Sequence, residues 1–132
     1  MTTVDSVAAL YIEDFGLRSV PGPSTRIDLT GVYFSMVASS PVPTTVEPHL
    51  IVLLRCPPGH AGEGVLEVRF LRQGEQVARN VQPVSIEPGK FGYRLVRAEL
   101  AFEAYDTAEA HCRVDQGDVI VVPLTLLPPV AA

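Results

Sequence analysis

The chain of 132 residues carries 10 basic against 15 acidic side chains, a formal charge of −5, with charged residues at 19% and hydrophobic ones at 47%. An acidic surface repels phosphate backbones and anionic lipid, so neither nucleic acid nor a membrane is an expected partner. With so few charges, a single domain over residues 1–132 is expected to leave apolar surface for a partner, and a second copy of the chain is the simplest one.

Short apolar runs fenced by Gly, Pro, Asn or Asp recur from end to end, the pattern of an all-β antiparallel sandwich. Val4–Ile12 alternates Ala8, Leu10 and Ile12 with Ala9 and Tyr11 and reads as a strand, with a short helix over Val4–Leu10 as the competing form. Gly16 to Ser24 holds Pro21, Gly22 and Pro23 and reads as a loop. In Arg26–Val37 the apolar parity switches from Ile27 and Leu29 to Val32, Phe34 and Met36 across Thr30-Gly31. One extra residue flips every later side chain, so this segment predicts one bulged strand with a continuous apolar face. Ala38–His49, with Pro41, Pro43 and Pro48, reads as an exposed connection.

Leu50–Leu54 is an unbroken apolar run, which predicts cover on both faces; in a two-layer sandwich the second cover would be a subunit interface. Val65–Arg72 and Glu75–Gln82 alternate about Gln73-Gly74 and form a hairpin, with Pro83 ending or bulging the return strand. Leu95–Tyr105 places Val96, Ala98, Leu100, Phe102 and Ala104 on one face. Asp106 with Glu109 three residues on resembles a helix start and allows one helical turn. Val119–Leu127 is apolar on both parities over Val119–Val122, and Pro123 inside it marks an edge strand or a bulge. The total is about seven or eight strands, mostly in sequential hairpins, immunoglobulin-like or C2-like in outline with a jelly roll as the alternative.

Chemistry is sparse. The chain lacks G-x-S-x-G and the glycine-rich phosphate loops. Cys56 and His60 flank Pro57-Pro58-Gly59, a turn that would bring a thiol and an imidazole together as a nucleophile pair. His111 and Cys112 are adjacent, hence on opposite faces of a strand, which argues against a shared zinc role. A disulfide between Cys56 and Cys112 would suit an immunoglobulin bridge, but there is no Trp, and Ala110 stands where a tyrosine corner would. Without an export signal at the N-terminus, both are expected as free thiols in the cytosol. Asp14, Asp115 and Asp118, with Tyr105, are the candidates for holding calcium or a glycan at the loops of one sandwich end. Phe34, Phe70 and Phe102 fall on core faces, while Tyr11, Tyr33, Tyr93 and Tyr105 are free to face outward.

The stretch Arg26-Ile-Asp-Leu-Thr-Gly-Val-Tyr-Phe34, followed by Pro41-Val-Pro43 and the hairpin Leu66-Glu-Val-Arg-Phe-Leu-Arg-Gln-Gly-Glu75, resembles an uncharacterised family of small all-β bacterial proteins. The likeness covers most of the chain, and it departs at Thr25-Arg26, where a Gly-Lys pair is usual. It implies a fold and no activity. The expected function is therefore a non-enzymatic, cytoplasmic interaction module that forms a homo-oligomer. A calcium- or glycan-binding module is the alternative. No residue is assigned a catalytic, cofactor or metal role.

Overall fold

The computed structural model describes residues 4–21 and 24–130. Among them are twelve strands: β1 (Asp5–Ile12), β2 (Asp14–Val20), β3 (Ser24–Thr30), β4 (Ser35–Val37), β5 (Thr44–Val46), β6 (His49–Arg55), β7 (Glu63–Arg72), β8 (Glu75–Ser85), β9 (Phe91–Arg97), β10 (Leu100–Phe102), β11 (Thr107–Val114) and β12 (Ile120–Leu127). One sheet runs β4-β12-β11-β7-β8 and the other β1-β6-β9; β5 pairs with β10, and β2 with β3. Pairing is antiparallel except for the parallel contact of β4 with β12.

The protein is thus an all-β, mainly antiparallel sandwich. Alternation along each strand builds its core. Leu66, Val68 and Phe70 of β7, Ala108, Ala110, Cys112 and Val114 of β11, and Val122, Leu124 and Leu126 of β12 are buried on the inner face of the larger sheet. They join one cluster with Ala9 and Tyr11 of β1, Leu50, Val52 and Leu54 of β6, and Val96 of β9. The β5–β10 pair adds Val46, Leu100 and Phe102. Each fully buried aliphatic side chain contributes about 1.5–3 kcal/mol from leaving water.

Several elements differ from the sequence reading. Twelve short strands replace seven or eight, because two predicted strands break where the chain changes sheet and β2, β5 and β11 form where loops or a helical turn were expected. The expected bulged strand ends at Thr30: Gly31 takes φ of +64°, and β4 then pairs with β12. Phe34 consequently leaves the core face and is 48% exposed, while Tyr11 turns inward. Leu95–Tyr105 keeps its predicted parity as far as Phe102 but divides at Ala98-Glu99 into β9 and β10, which pair with β6 and β5 respectively, and Ala104, expected on the inner face, lies exposed beyond β10. Asp106 opens a strand rather than a helical turn. Most of the expected Gly16–Ser24 loop is β2, and the Ala38–His49 connection contains β5. Sequential hairpins are the minority, since β1-β6-β9 and β7-β11 join strands far apart in the chain.

The prolines are accommodated by backbone direction. Asp115 N donates to Val65 O at 2.9 Å, and Val65 N donates to Asp115 Oδ1 at 3.0 Å, so Val65 turns its backbone towards β11. Pro83, opposite Val65, then points its nitrogen off the open edge of β8, and the strand runs on to Ser85. In β12, Thr125 N donates to Phe34 O on the β4 side, yet β4 meets only Thr125–Leu127. Pro123 shares the orientation of Thr125 and lies on the unpaired half of that edge, as its position inside an apolar run predicts.

Leu50–Leu54 is covered on both faces, but within the chain. Ile51 is fully buried on the face opposite Leu50 and Val52. That outer face carries Leu10, Ile51 and Leu95 in one row and Ala8, Leu53 and Tyr93 in the next. Over it lies the β2–β3 ribbon, whose Phe15 ring meets Tyr93 edge-on with centroids 5.7 Å apart. The subunit interface expected at this strand is replaced there by the chain's own ribbon.

Candidate functional site

The residues proposed for calcium or a glycan do not converge. Tyr105 precedes β11 and Asp115 follows it, so the eight residues of the strand, about 26 Å of backbone, separate them. Tyr105 Oη accepts a hydrogen bond from Val42 N at 3.3 Å. Asp115 has φ of +49° and accepts from Val65 N, which makes it a turn residue that closes the β7–β11 ladder. Asp14 Oδ1 accepts from Phe15 N at 2.8 Å and starts β2. Asp118 is exposed in the turn before β12. Among the described residues no group of three or more His, Cys, Asp and Glu side chains is arranged to hold a metal ion.

Cys56 is fully buried, and its thiol points at backbone carbonyls, 3.4 Å from Pro57 O and 3.9 Å from His60 O. The turn therefore brings the His60 carbonyl to the sulfur. His111 faces outward, 3.3 Å from Glu109, and Cys112 faces the core, as their adjacency predicts. Burial pushes the Cys112 thiol up to about 12, which keeps it protonated and inert at neutral pH. Both cysteines are free.

One end of the sandwich is concave. Ile12, Glu13, Tyr33, Met36, Glu47 and His49 line a depression of about 470 Å³. Burial raises the Tyr33 phenol above its ordinary value, a backbone hydrogen bond with His49 opposes the rise, and the Glu13 carboxylate adds to it. The depression is shallow and its acidic side chains are exposed, an environment for solvated charge rather than for activating a nucleophile.

Two apolar surfaces remain. On the outer face of the larger sheet, Val121, Pro123 and Leu127 align along β12, interrupted by Thr125, whose hydroxyl lies 2.7 Å from that of Thr107, and Val37 of β4 is in register beside Leu127. Val121, Val37 and Leu127 are 47%, 47% and 40% exposed. Val119–Val122 is therefore apolar on both parities and covered on one. Next to this column the same face is charged: Glu109 and His111 contact each other, and Glu67 pairs with Arg79 at 2.7 Å and lies 3.9 Å from Arg113. The second surface is the cleft between the β2–β3 ribbon and β6–β9, lined by Leu17, Ile27, Leu53, Phe91 and Tyr93.

Sequence reasoning found the β12 surface through its unbroken apolar run. It missed the cleft, because β2, one strand of the ribbon that makes a wall, was read largely as a loop, while Ile27 of β3 was read as part of a strand. No helix among the described residues is long and apolar enough to cross a membrane. No protein-family model matches the chain, and comparison with curated proteins found no match.

Proposed function

We propose that this chain is a non-enzymatic interaction module of the cytoplasm that acts as a homodimer, docked through the outer face of β12 and β4. The apolar column Val121, Pro123, Leu127 and Val37 carries the reading. Removing such a column from water yields about 25 cal/mol per Å². A two-fold axis sets the column against itself, and the neighbouring Glu109, His111, Arg113 and Glu67 supply the polar rim that a specific interface has. The unpaired half of the β12 edge adds backbone groups that favour one register. Two reduced thiols support a reducing compartment.

Light scattering over the micromolar range tests the reading. The expected mass is twice the 14.2 kDa of the chain. A strict monomer at every concentration contradicts it.

A further inference from the structure

β8 ends the larger sheet on the side away from β4 and β12, and no strand pairs with its outer edge. In its antiparallel ladder with β7, every second residue aims its backbone off that edge. Pro83 is one of these, and Arg79 and Val81 share its orientation. The register shifts between Phe70 and Leu71, which sets a bulge at Val77 and ends the regular run there. The open stretch therefore presents the N–H and C=O of Arg79 and of Val81. Beyond them comes only the Pro83 carbonyl, which lies 3.4 Å from Arg94 Nε. On β9, by contrast, Tyr93 O and Leu95 O already accept from the side chains of Arg94 and Gln82, both at 2.9 Å.

An unpaired edge is a template for an added strand. A second β8 fits this one poorly. Two-fold pairing centred on Arg79 sets the two Arg79 side chains directly opposite, and centring on Asn80 leaves them diagonal neighbours on one face; like charges oppose both. Centring on Val81 or further on sets Pro83, which has no N–H to give, opposite Arg79 or Val81. A strand bearing a carboxylate fits better. On the outer face Arg69 lies in register with Arg79, and Glu67 and Arg113 are in the next row. Arg79 directs Nε and Nη2 to one oxygen of Glu67, at 2.8 and 2.7 Å, and Arg113 lies 3.9 Å from the same carboxylate. Arg69 gives Nε to the amide oxygen of Gln76 and forms no ion pair among the described residues. Three guanidinium groups thus stand around one carboxylate. We propose that the Arg79–Pro83 edge of β8 binds an extended acidic segment of a partner protein, added as a further strand with a Glu or Asp side chain beside Arg79. β8 is three strand spacings, about 14 Å, from β12. The edge therefore stays open in the β12 dimer, and the proposal stands or falls without it.

NMR titration of the full chain with an acetylated peptide of about six alternating Thr and Glu residues, and with its Thr and Lys counterpart, tests this. The acidic peptide should bind saturably and at least about fivefold more tightly, the scale of one exposed ion pair gained against one like-charge contact avoided. In the wild type it should shift the amide resonances of Arg79 and Val81 and slow their hydrogen exchange, which locates the site without any substitution. Arg79→Glu should reverse the order of the two peptides. Val81→Pro should abolish binding while circular dichroism stays that of the wild type, because the Val81 N–H points off the edge as the Pro83 nitrogen does. Absence of saturable binding by the acidic peptide overturns the proposal. So do equal affinities of the two peptides, unmoved Arg79 and Val81 amides, and a Val81→Pro protein that binds as the wild type does. A peptide-induced split of a dimer into monomers also overturns it, since a second copy would then hold the edge.

Discussion

Tyr11 lies fully buried on the inner face of β1, and its hydroxyl has no hydrogen-bond partner, so the substitution Tyr11→Phe should raise stability rather than lower it. A buried hydroxyl left unpaired costs about 1–3 kcal/mol relative to its hydrated state in the unfolded chain. Phe keeps the ring, its stacking on Tyr33 with centroids 6.0 Å apart, and the apolar contacts. Removing the oxygen leaves on the order of 15 Å³, and at about 24 cal/mol per Å³ the cavity offsets only ~0.4 kcal/mol. The net expectation is a gain of about 1–2 kcal/mol. Urea unfolding checks it, with the midpoint moving up and the slope unchanged. A Tyr11→Phe protein less stable than the wild type by more than about 0.5 kcal/mol would refute the reasoning, because the hydroxyl would then have to be bonded in the native state.

Gly62 has φ of +77°, and a Cβ there would overlap the carbonyl of Ile86, whose N–H donates to Gly62 O at 2.7 Å; Gly62→Ala should lose at least about 2 kcal/mol by the same denaturation assay. Asp115→Ala removes the acceptor for Val65 N, and a loss of about 1–2 kcal/mol is expected, with faster amide exchange at Val65 as the local readout. Alkaline stability should reflect Cys112. Its thiol titrates near 12 in the fold against about 8.5 when unfolded, so its contribution is intact below about pH 8.5 and declines by about 1.4 kcal/mol per pH unit up to about pH 12. Tyr11, also raised by burial, adds loss of the same sign above about pH 10. Cys112→Ala should remove the earlier part of that decline in a pH series of urea melts.

Much of the sandwich was legible because burial and alternation coincide. In Val65–Arg72 the inward Leu66, Val68 and Phe70 sit between outward Glu67 and Arg69, and the turn at Gln73-Gly74 uses two residues with positive φ. Asp14–Val20 was illegible for the opposite reason. Most of its residues remain exposed in the fold, and its pairing with β3 comes from the partner strand rather than from burial. The end of β3 at Gly31 was read at the right glycine with the wrong consequence, since sequence parity cannot tell a bulge from a change of sheet. Long-range pairings such as β1 with β6 leave no local mark at all. For the site, the apolar parity of Val119–Val122 was visible, whereas the cleft needs two distant segments, Leu17 with Ile27 and Leu53 with Phe91, to meet.

The central claim is that β12 offers its open face to a second copy while the ribbon covers the smaller sheet from within. Sedimentation velocity on Val121→Glu and Leu17→Glu compares the two faces directly, because both side chains are about half exposed and neither change should unfold the chain. The account predicts a dimer for Leu17→Glu and a monomer for Val121→Glu. A dimer that survives Val121→Glu but dissociates in Leu17→Glu would contradict it.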